Sequence, residues 1–494
     1  ALSNARNYTT NFAYDTRDRL TETKFPDSDT DPTNNPKVTF GYDIASNLTA
    51  RTDERGNTTS FVHDAIGRVT TITTPDRDGA GPLPAPVTSF VYDAASNLTS
   101  IARPDPDGSG PLASPVQNYT YNTMNRPATA VDALSNTTSW IYDNAGNVAS
   151  VTEPLSRTTS FQYNELGYRT VITQPDPDGP GPLAAPVWQF SFDAEQQLTS
   201  LRDPINRVTT NTWNNRGWLA SQTDPLLNTT STTYNGVGNP ATTTYPGQPT
   251  SVVYTYDNLH RLITFTDQLS NSTSLAYDAV GNRTSVTDAL SHTTAYAFDP
   301  RDRLVSITQP DPAGPGPLTS PVTTLAYDAA SNRTGVTDPL GRTTSFAFAP
   351  GNRETSITQP DPDGLGPLTN PVTAFQYDNL DRLTGLTDPV GNQTRWNYDA
   401  IDRVLSEIDP LGKSTLYEYN AASELTRLID RNNQRRDFSY DNLSRRTQEK
   451  WCTTASGPCT PSRTFSYSFD AASQLTNMTE PDSTYVSGLP THID

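Results

Sequence analysis

Aromatic residues two positions apart, separated by a small or polar residue, recur along the whole chain. Phe40 and Tyr42 form one such pair, and Trp140 and Tyr142 form another. Residues i and i+2 lie on the same face of a β-strand. Each pair therefore predicts a strand with one aromatic face that packing can bury and one more polar face. Repetition of the pairs predicts two aromatic columns on one side of a sheet.

The second aromatic of each pair is followed by Asp or Asn in most copies and marks a tandem repeat. Twenty copies occur, and their nineteen spacings are 21 residues eleven times, 22 once, 28 once and 29 six times. Two turn signals divide each unit: Asp-x-x-Gly-Asn, as at 278–282, and Asp-Pro-Leu-Gly-Arg, as at 338–342. Asp and Asn side chains cap turns, and Gly accepts the left-handed backbone conformation. Each unit is therefore predicted to be a β-hairpin, which gives about forty short strands.

We predict an all-β fold in which tandem hairpins form one continuous, spiralling sheet, either as a hollow shell segment or as a rod. The array is predicted to occupy residues 1–494 as one domain that begins in the middle of a repeat. Sugars are a possible alternative partner of the aromatic face, but the basic residues that single-stranded nucleic acid requires are not interleaved with it. The predicted structural ladder comprises Tyr42, Tyr92, Tyr142, Tyr163, Tyr256, Tyr277, Tyr327, Tyr377, Tyr398, Tyr419 and Tyr440.

Seven units are longer because the hairpin between two of their strands carries an insertion. The seventh lies in a long hairpin at 441–468 that contains Cys452 and Cys459, and 470–494 is a partial repeat. Six residues between the cysteines suit a disulfide across a hairpin loop. Free thiols or metal ligands are the alternatives, and the lack of a second Cys pair or a His cluster disfavours zinc. The other six insertions resemble Gln-Pro-Asp-Pro-Asp-Gly-x-Gly-Pro and start near Pro26, Pro75, Pro104, Pro175, Pro310 and Pro360.

Paired aspartates in these insertions resemble the start of a calcium-binding loop, in which Asp-x-Asp-Gly places oxygens around a hard cation. No Glu follows at the distance that would supply a bidentate ligand. The alternative is a rigid, Pro-rich hairpin tip with solvated carboxylates. The predicted calcium ligands are Asp105 with Asp107, Asp176 with Asp178, and Asp361 with Asp363.

Composition and charge exclude several classes of function. Apolar residues make up 33% of the 494, below the roughly 45–50% of ordinary globular chains. The net charge is −19, so composition alone indicates disorder, a reading that the strict periodicity overrides. An acidic chain is not expected to bind nucleic acid. No apolar run approaches the roughly 18 residues of a membrane span.

Nothing in the sequence predicts catalysis. The four His residues lack metal-ligand spacing, and no nucleophile elbow occurs. Paired carboxylates are abundant, but they recur with the repeat, which indicates an architectural role. We therefore predict a protein that is not an enzyme and needs no cofactor. Asn-x-Ser/Thr sequences, such as those at Asn136 and Asn392, are candidate N-glycan sites or unmodified turn residues.

The motif Tyr-Asp-x-x-Gly-Asn/Arg-Leu/Arg-Thr, followed by Thr-Asp-Pro-x-Gly-Asn/Arg-Thr-Thr, resembles the Rhs or YD-repeat family along essentially the whole chain. Relatives include bacterial Rhs and wall-associated proteins, the cocoon subunits of insecticidal toxin complexes, and teneurins. The resemblance implies a spiral of β-hairpins that forms a hollow shell. In the toxin relatives that shell encloses a C-terminal toxin. The core-closing segment and the toxin domain of those relatives have no counterpart in this sequence.

Three hypotheses for function follow. The first is a non-enzymatic structural protein, outside a bacterial cell or on its surface, as a segment of a larger shell or a subunit of a filament. Its expected partners are further copies or a continuation of the repeat stack at both ends. The second is a fragment of a cocoon that encapsulates a toxin. The third is a cell-surface adhesion or carbohydrate-binding module, with glycans as partners.

Overall fold

The alternating aromatic pattern forms strands, and consecutive strands pair into hairpins. The computed structural model describes residues 2–3, 9–25, 37–76, 84–107, 112–177, 181, 183–312, 319–328, 330–349, 352–364, 366, 368–471 and 473–480. Within these ranges, 41 strands join one antiparallel sheet. The single helical turn among them is the 3-10 turn Pro154–Ser156. The predicted all-β architecture is confirmed.

Each repeat contributes two strands of about five or six residues. Their bounds are β1 Leu2–Ser3, β2 Thr9–Tyr14, β3 Leu20–Lys24, β4 Lys37–Tyr42, β5 Leu48–Thr52, β6 Thr58–His63, β7 Val69–Thr73, β8 Val87–Tyr92, β9 Leu98–Ala102, β10 Val116–Tyr121, β11 Pro127–Val131, β12 Thr137–Tyr142, β13 Val148–Glu153, β14 Arg157–Tyr163, β15 Arg169–Thr173, β16 Val187–Phe192, β17 Leu198–Arg202, β18 Val208–Trp213, β19 Leu219–Thr223, β20 Thr229–Tyr234, β21 Pro240–Thr244, β22 Val252–Tyr256, β23 Leu262–Thr266, β24 Ser272–Tyr277, β25 Arg283–Thr287, β26 Thr293–Phe298, β27 Leu304–Thr308, β28 Val322–Tyr327, β29 Arg333–Thr337, β30 Thr343–Ala349, β31 Arg353–Thr358, β32 Val372–Tyr377, β33 Leu383–Thr387, β34 Gln393–Tyr398, β35 Val404–Ile408, β36 Ser414–Tyr419, β37 Leu425–Ile429, β38 Arg435–Tyr440, β39 Arg446–Cys452, β40 Pro461–Phe469 and β41 Leu475–Thr479.

The register of each hairpin slips by one residue just before the repeat aromatic. In the hairpin of β4 and β5, Gly41 pairs with Ala50 but Tyr42 pairs with Leu48, so Thr49 has no residue opposite it. The same slip occurs in the other described hairpins that a Tyr-Asp turn closes, from Tyr14 to Phe469. Such a β-bulge increases the local right-handed twist. Each repeat therefore adds the same small bend to the sheet.

Neither face of the sheet is covered by a second layer in the described chain. Aromatic residues such as Phe61 are half-buried, whereas the residue between two aromatics, such as Val62, is exposed. Apart from prolines of the insertions and glycines, the buried apolar residues there are Val38, Val252 and Ala400. The accessible surface is 29700 Å², against about 18,000 Å² for a globular protein of 53.9 kDa. The excess surface is that of a single-layered wall.

The ribbon of hairpins returns alongside itself. We call the edge formed by turns such as 43–47 and 399–403 the Tyr-Asp edge, and the edge formed by turns such as 53–57 and by the insertions the second-turn edge. The backbone N–H of Ala400 donates a hydrogen bond to the carbonyl of Pro106 (3.0 Å), and that of Ala471 donates to Pro177 (2.9 Å). Each pair is 294 residues apart in the sequence. The Tyr-Asp edge of the later coil thus lies on the second-turn edge of the earlier coil.

Short turns also make contacts between the two coils. Arg55 Nη2 donates to Asp381 Oδ2 at 2.8 Å, and Arg157 Nη1 donates to the Ser473 hydroxyl at 2.8 Å. The residues that meet in these side-chain contacts and in the insertion contacts are separated along the chain by about thirteen hairpins, which is therefore the length of one turn of the spiral. Strands spaced by about 4.8 Å then give a circumference of about 125 Å and a diameter of about 40 Å. A sheet about 10 Å thick leaves a wide lumen inside such a coil.

Replacing Ala400 by Pro should weaken the contact between coils, because it removes the N–H donor to the carbonyl of the buried Pro106. Pro is compatible with this turn position, since Pro300 occupies it in the turn at 299–303. We expect a loss of about 1–3 kcal/mol in the free energy of unfolding, measured by urea denaturation, because a buried acceptor loses its partner. Ala65→Pro, at the same position of an exposed turn, is the control and should not destabilise. Equal losses in the two variants would contradict the contact.

Candidate functional site

The repeating Tyr-Asp turn is built around one carboxylate. Asp43 Oδ1 accepts a hydrogen bond from the backbone N–H of Asn47 (2.8 Å), and Oδ2 accepts one from its side-chain amide (2.9 Å). The N–H of Asp43 donates to the carbonyl of Asn47, and the N–H of Ser46 donates to the carbonyl of Asp43. The fourth turn residue, Ser46, has a φ of 71°. The predicted capping role of Asp is confirmed.

The second turn of the unit has the same design. Asp53 Oδ1 accepts hydrogen bonds from the N–H groups of Arg55 (3.0 Å) and Asn57 (2.9 Å). Gly56 takes the left-handed position with a φ of 86°. Glycine is therefore present where the sequence analysis placed it, but Ser, Asn or Asp occupies the position in many other turns. The Asp hydrogen bonds hold those side-chain-bearing residues in a conformation that they otherwise adopt rarely.

These hydrogen bonds favour the charged form of the capping carboxylates. The Arg19 side chain, which hydrogen-bonds to Asp15, is the main cause that lowers the pKa of that carboxyl to about 2. The Asn47 side-chain amide is the main cause that lowers the pKa of Asp43. A carboxylate that accepts several N–H groups is stabilised in its ionised form. Hydrogen bonds of the same kind lower the pKa of the capping carboxyl groups of Asp93, Asp143, Asp224, Asp257, Asp267, Asp338 and Asp388.

The aromatic ladder is fixed by hydrogen bonds from side chains to the preceding strand. The Tyr42 hydroxyl donates to the carbonyl of Leu20 at 2.9 Å, where β3 begins. The Trp213 indole N–H donates to the carbonyl of Leu198 in the same way. This bond extends the pairing of two strands beyond their last backbone pair. Equivalent hydroxyl bonds are made by Tyr92, Tyr121, Tyr142, Tyr163, Tyr234, Tyr327, Tyr398, Tyr419 and Tyr440.

The three other predicted ladder residues are half-buried at the same position of the repeat. Arg261 lies over the ring of Tyr277, with its guanidinium carbon 4.7 Å from the ring centre. Arg353 lies 5.5 Å from the ring centre of Tyr377. Burial raises the pKa of Tyr256. The eleven predicted tyrosines thus share one face of the sheet, half-buried between neighbouring hairpins.

Where an arginine occupies the fifth position of a Tyr-Asp turn, it ties that unit to the next. Arg19 Nε donates to Asp15 Oδ2 (2.7 Å), and Nη1 donates to the carbonyl of Asp43 (2.8 Å). Its guanidinium carbon lies 4.8 Å from the ring centre of Tyr42, a favourable cation–π distance. This role was not predicted from the sequence, although the alternation of Arg and Asn at this position was a usable signal. The same ring contact is made by Arg68, Arg303, Arg382, Arg403 and Arg445.

Four of the predicted calcium ligands accept hydrogen bonds from the backbone of their own insertion. Asp105 Oδ1 accepts from the N–H of Asp107 (3.2 Å), and Asp107 Oδ2 accepts from the N–H of Leu112 (3.2 Å). Asp361 and Asp363 repeat this arrangement, with Leu368 as the second donor. Asp176 is half-buried, and Asp178 lies outside the described residues. Calcium binding by these pairs stays a prediction.

A disulfide joins Cys452 and Cys459 in the last long hairpin. Beneath it, the buried Arg435 donates to the carbonyl of Gly457 (2.6 Å) and to Asp437 Oδ1 (2.7 Å). Asp437 and the two cysteine sulfur atoms form the one grouping of potential metal ligands in the described chain. Bonded sulfurs and two nearby arginines, Arg427 and Arg435, disfavour a cation there.

The part of the chain that the structure describes contains no helix with the length and apolar character of a membrane span.

Comparison with known proteins identifies the repeat. The profile of the RHS Repeat family matches residues 42–78, 142–178, 277–313 and 398–434. These matches begin at Tyr42, Tyr142, Tyr277 and Tyr398, the start of a Tyr-Asp turn in each case. No curated protein matches the chain in sequence.

Two solved structures share the fold. The crystal structure of TcdB2-TccC3 superposes with a TM-score of 0.57 at 14% identity over 94% of this chain. The structure of TcdB2-TccC3 without its hypervariable C-terminal region gives 0.56 at 14% identity over 97% of this chain. The chain spans about 27% of the length of those proteins. At this identity the likeness concerns the fold alone.

Tyr419→Phe should destabilise the chain by about 0.5–1.5 kcal/mol, because the hydroxyl bond to Val404 is lost while the ring remains. Phe occupies the ladder position at Phe298, so the substitution is compatible with the fold. Tyr417→Phe, two residues earlier on β36, removes a hydroxyl that does not bond to the preceding strand and is the control. The free energy of unfolding in urea measures both. A larger loss in the control would contradict the role of the ladder hydroxyl.

Acid should destabilise the chain through the capping aspartates. Their pKa is lower in the folded chain than in the unfolded chain, so their contribution is present above the ordinary value of 3.8 and is lost as the pH falls toward about 2. The urea midpoint should therefore fall steeply over this interval. Asp15→Asn should make the pH dependence shallower, whereas Glu165→Gln, in an exposed position, should leave it unchanged. A midpoint independent of pH below 4 would contradict the capping role.

Proposed function

We propose that this chain, which four matches to the RHS Repeat profile link to the Rhs or YD-repeat family, forms part of the wall of a hollow shell. The observation that carries the proposal is the contact between coils separated by 294 residues, Ala400 with Pro106 and Ala471 with Pro177. A rod of stacked hairpins needs no such contact. A spiral in which the ribbon is sealed edge to edge encloses a volume.

The single-layered sheet supports a wall rather than a solid domain. Its accessible surface exceeds that of a globular protein by roughly 12,000 Å². A soluble protein gains nothing in stability from leaving both sheet faces uncovered, because burial of apolar surface is the main stabilising term in folding. We propose that the uncovered surface is the inner side of a container. A polypeptide segment enclosed there, as in the toxin-encapsulating relatives, is the cargo that the resemblance favours.

A structural role, without catalysis, also fits the polar groups of the chain. Apart from Asp437 on β38, the carboxylates with lowered pKa values cap turns, and they recur with the repeat instead of converging on one pocket. The disulfide of the last long hairpin is of the kind that persists in oxidising compartments. We therefore propose a bacterial protein that acts outside the cell. Adhesion and glycan binding remain hypotheses that no particular contact supports.

Electron microscopy of the purified chain tests the proposal. We expect end-on class averages to show a ring about 40 Å across with a dark centre, and side views to show the two stacked coils. Ala400→Pro combined with Arg157→Ala removes one backbone and one side-chain contact between the coils. In this variant the side views should show a wider gap. Solid particles, or extended rods without a ring view, would contradict the shell.

A further inference from the structure

Both open edges of the ribbon present rows of apolar side chains. Within the chain, the Tyr-Asp edge of the later coil covers the second-turn edge of the earlier coil. The Tyr-Asp edge of the earlier coil and the second-turn edge of the later coil face away from this contact. The same turn position can therefore be compared where an edge is covered and where it is open.

On the Tyr-Asp edge, the exposed fraction of the third turn residue differs between the covered and the open part. In the later coil, where the edge is covered, Leu380, Ile401 and Leu443 are half-buried. In turns that precede the contact, the apolar residues at this position are 58–73% exposed. This open row consists of Ile66, Met124, Leu166, Val237, Leu259 and Val280.

The second-turn edge shows the same difference with the order reversed. In the earlier coil, where this edge is covered, the third turn residues Leu134 and Leu155 are 39% and 52% exposed. From Ile205 onward, the apolar residues at this position are 69–82% exposed. This open row includes Leu290, Leu340, Val390 and Leu411.

The insertion tips follow the same rule. Pro106, whose carbonyl accepts the N–H of Ala400, is buried. Pro312 and Pro362 occupy the same place in later insertions and are exposed. In the Tyr-Asp turns, Ala400 is buried, whereas Ala65 and Ala94 at the same turn position are exposed. Each open edge thus presents the same kind of residues that form one side of the internal contact between coils.

We propose that the open second-turn edge of one chain binds the open Tyr-Asp edge of a second copy of the same chain, in the geometry of the internal contact between coils. Each open edge gathers exposed apolar side chains along one line, and exposed apolar surface rimmed by polar residues is typical of interaction sites. Continuity with the internal contact identifies the occupant, because every copy carries both halves. The contact is heterologous, so copies add head to tail and lengthen the coil. The proposal rests on the coil contact from which the shell was proposed.

Charge sets the conditions for this association. Each copy carries a net charge of −19, so copies repel each other at low ionic strength. Salt screens that repulsion and does not weaken apolar contacts. The test is therefore made at a salt concentration that screens the net charge, with analytical ultracentrifugation of the full chain.

Two variants separate the edges. Leu340→Glu with Leu411→Glu places charge on the open second-turn edge, and Ile66→Glu with Met124→Glu places it on the open Tyr-Asp edge. Glu195 already occupies the third position of a Tyr-Asp turn, so this position accepts the new side chain. Val62→Glu with Ile141→Glu adds the same charge to exposed positions on strands, away from both edges, and is the control.

The wild-type chain and the strand control should show a mass that rises above 53.9 kDa with concentration. Each edge variant alone should remain at the mass of one chain. An equimolar mixture of the two edge variants should give a complex of twice that mass, because one intact edge of each kind is present. A monomeric wild type, edge variants that still associate, or a mixture that does not restore the dimer would each overturn the proposal.

The edge variants also distinguish this proposal from the shell itself. They are expected to fold as single chains and to give the ring view in electron microscopy. A ring view combined with a monomeric wild type would reject association through the edges and leave the shell intact. Absence of the ring view in the monomeric edge variants would reject the shell, whatever the mass of the wild type.

Discussion

A hydrogen bond from an aromatic side chain to the backbone of the preceding hairpin holds the array together. The Tyr42 hydroxyl reaches the carbonyl of Leu20, and the same bond recurs at most of the described rungs that carry a donor in this position, down to Tyr440 with Leu425. In a single-layered sheet, each hairpin is stabilised by its two neighbours along the chain. Stability is then close to a sum of contributions from units and from their interfaces, as in other repeat proteins. A contribution of about 1 kcal/mol at each of the eleven described rungs that make this bond becomes large over the array.

Side-chain hydrogen bonds supply what a core supplies in a globular domain. Apolar residues make up only 33% of the chain, which is too little to fill a hydrophobic core for 494 residues. Asp carboxylates close the turns, and Thr hydroxyls pair beside them, as in Thr52 with Thr58 (2.8 Å) and Thr287 with Thr293 (2.8 Å). Arg side chains lie over the aromatic rings and bind the next turn. Most of these contacts join residues of the same unit or of neighbouring units and repeat along the array.

The strands and turns could be predicted from the sequence because residues within one repeat determine them. The hairpins, the two turns and the aromatic face follow from alternation and from Asp, Gly and Pro at fixed offsets. The bulge before the aromatic could not be predicted, since a slip of one residue in pairing leaves no mark in composition. Ser46 in a left-handed conformation was missed because its hydrogen-bonding partner, Asp43, outweighs its own preference. The contact of Ala400 with Pro106 depends on bend accumulated over about thirteen hairpins, which no short motif encodes.

Two kinds of contact cross the gap between coils, and they place different demands on the chain. At insertions, the backbone itself reaches the next coil, so that Pro106 and Ala400 meet at 3.0 Å. At short turns, a long Arg side chain spans the distance, as Arg157 does to Ser473. A backbone contact fixes the separation of the coils, whereas a flexible side chain adapts to it. The backbone contacts at the insertions therefore fix the separation of the coils, and the 21-residue units fill the wall between those points.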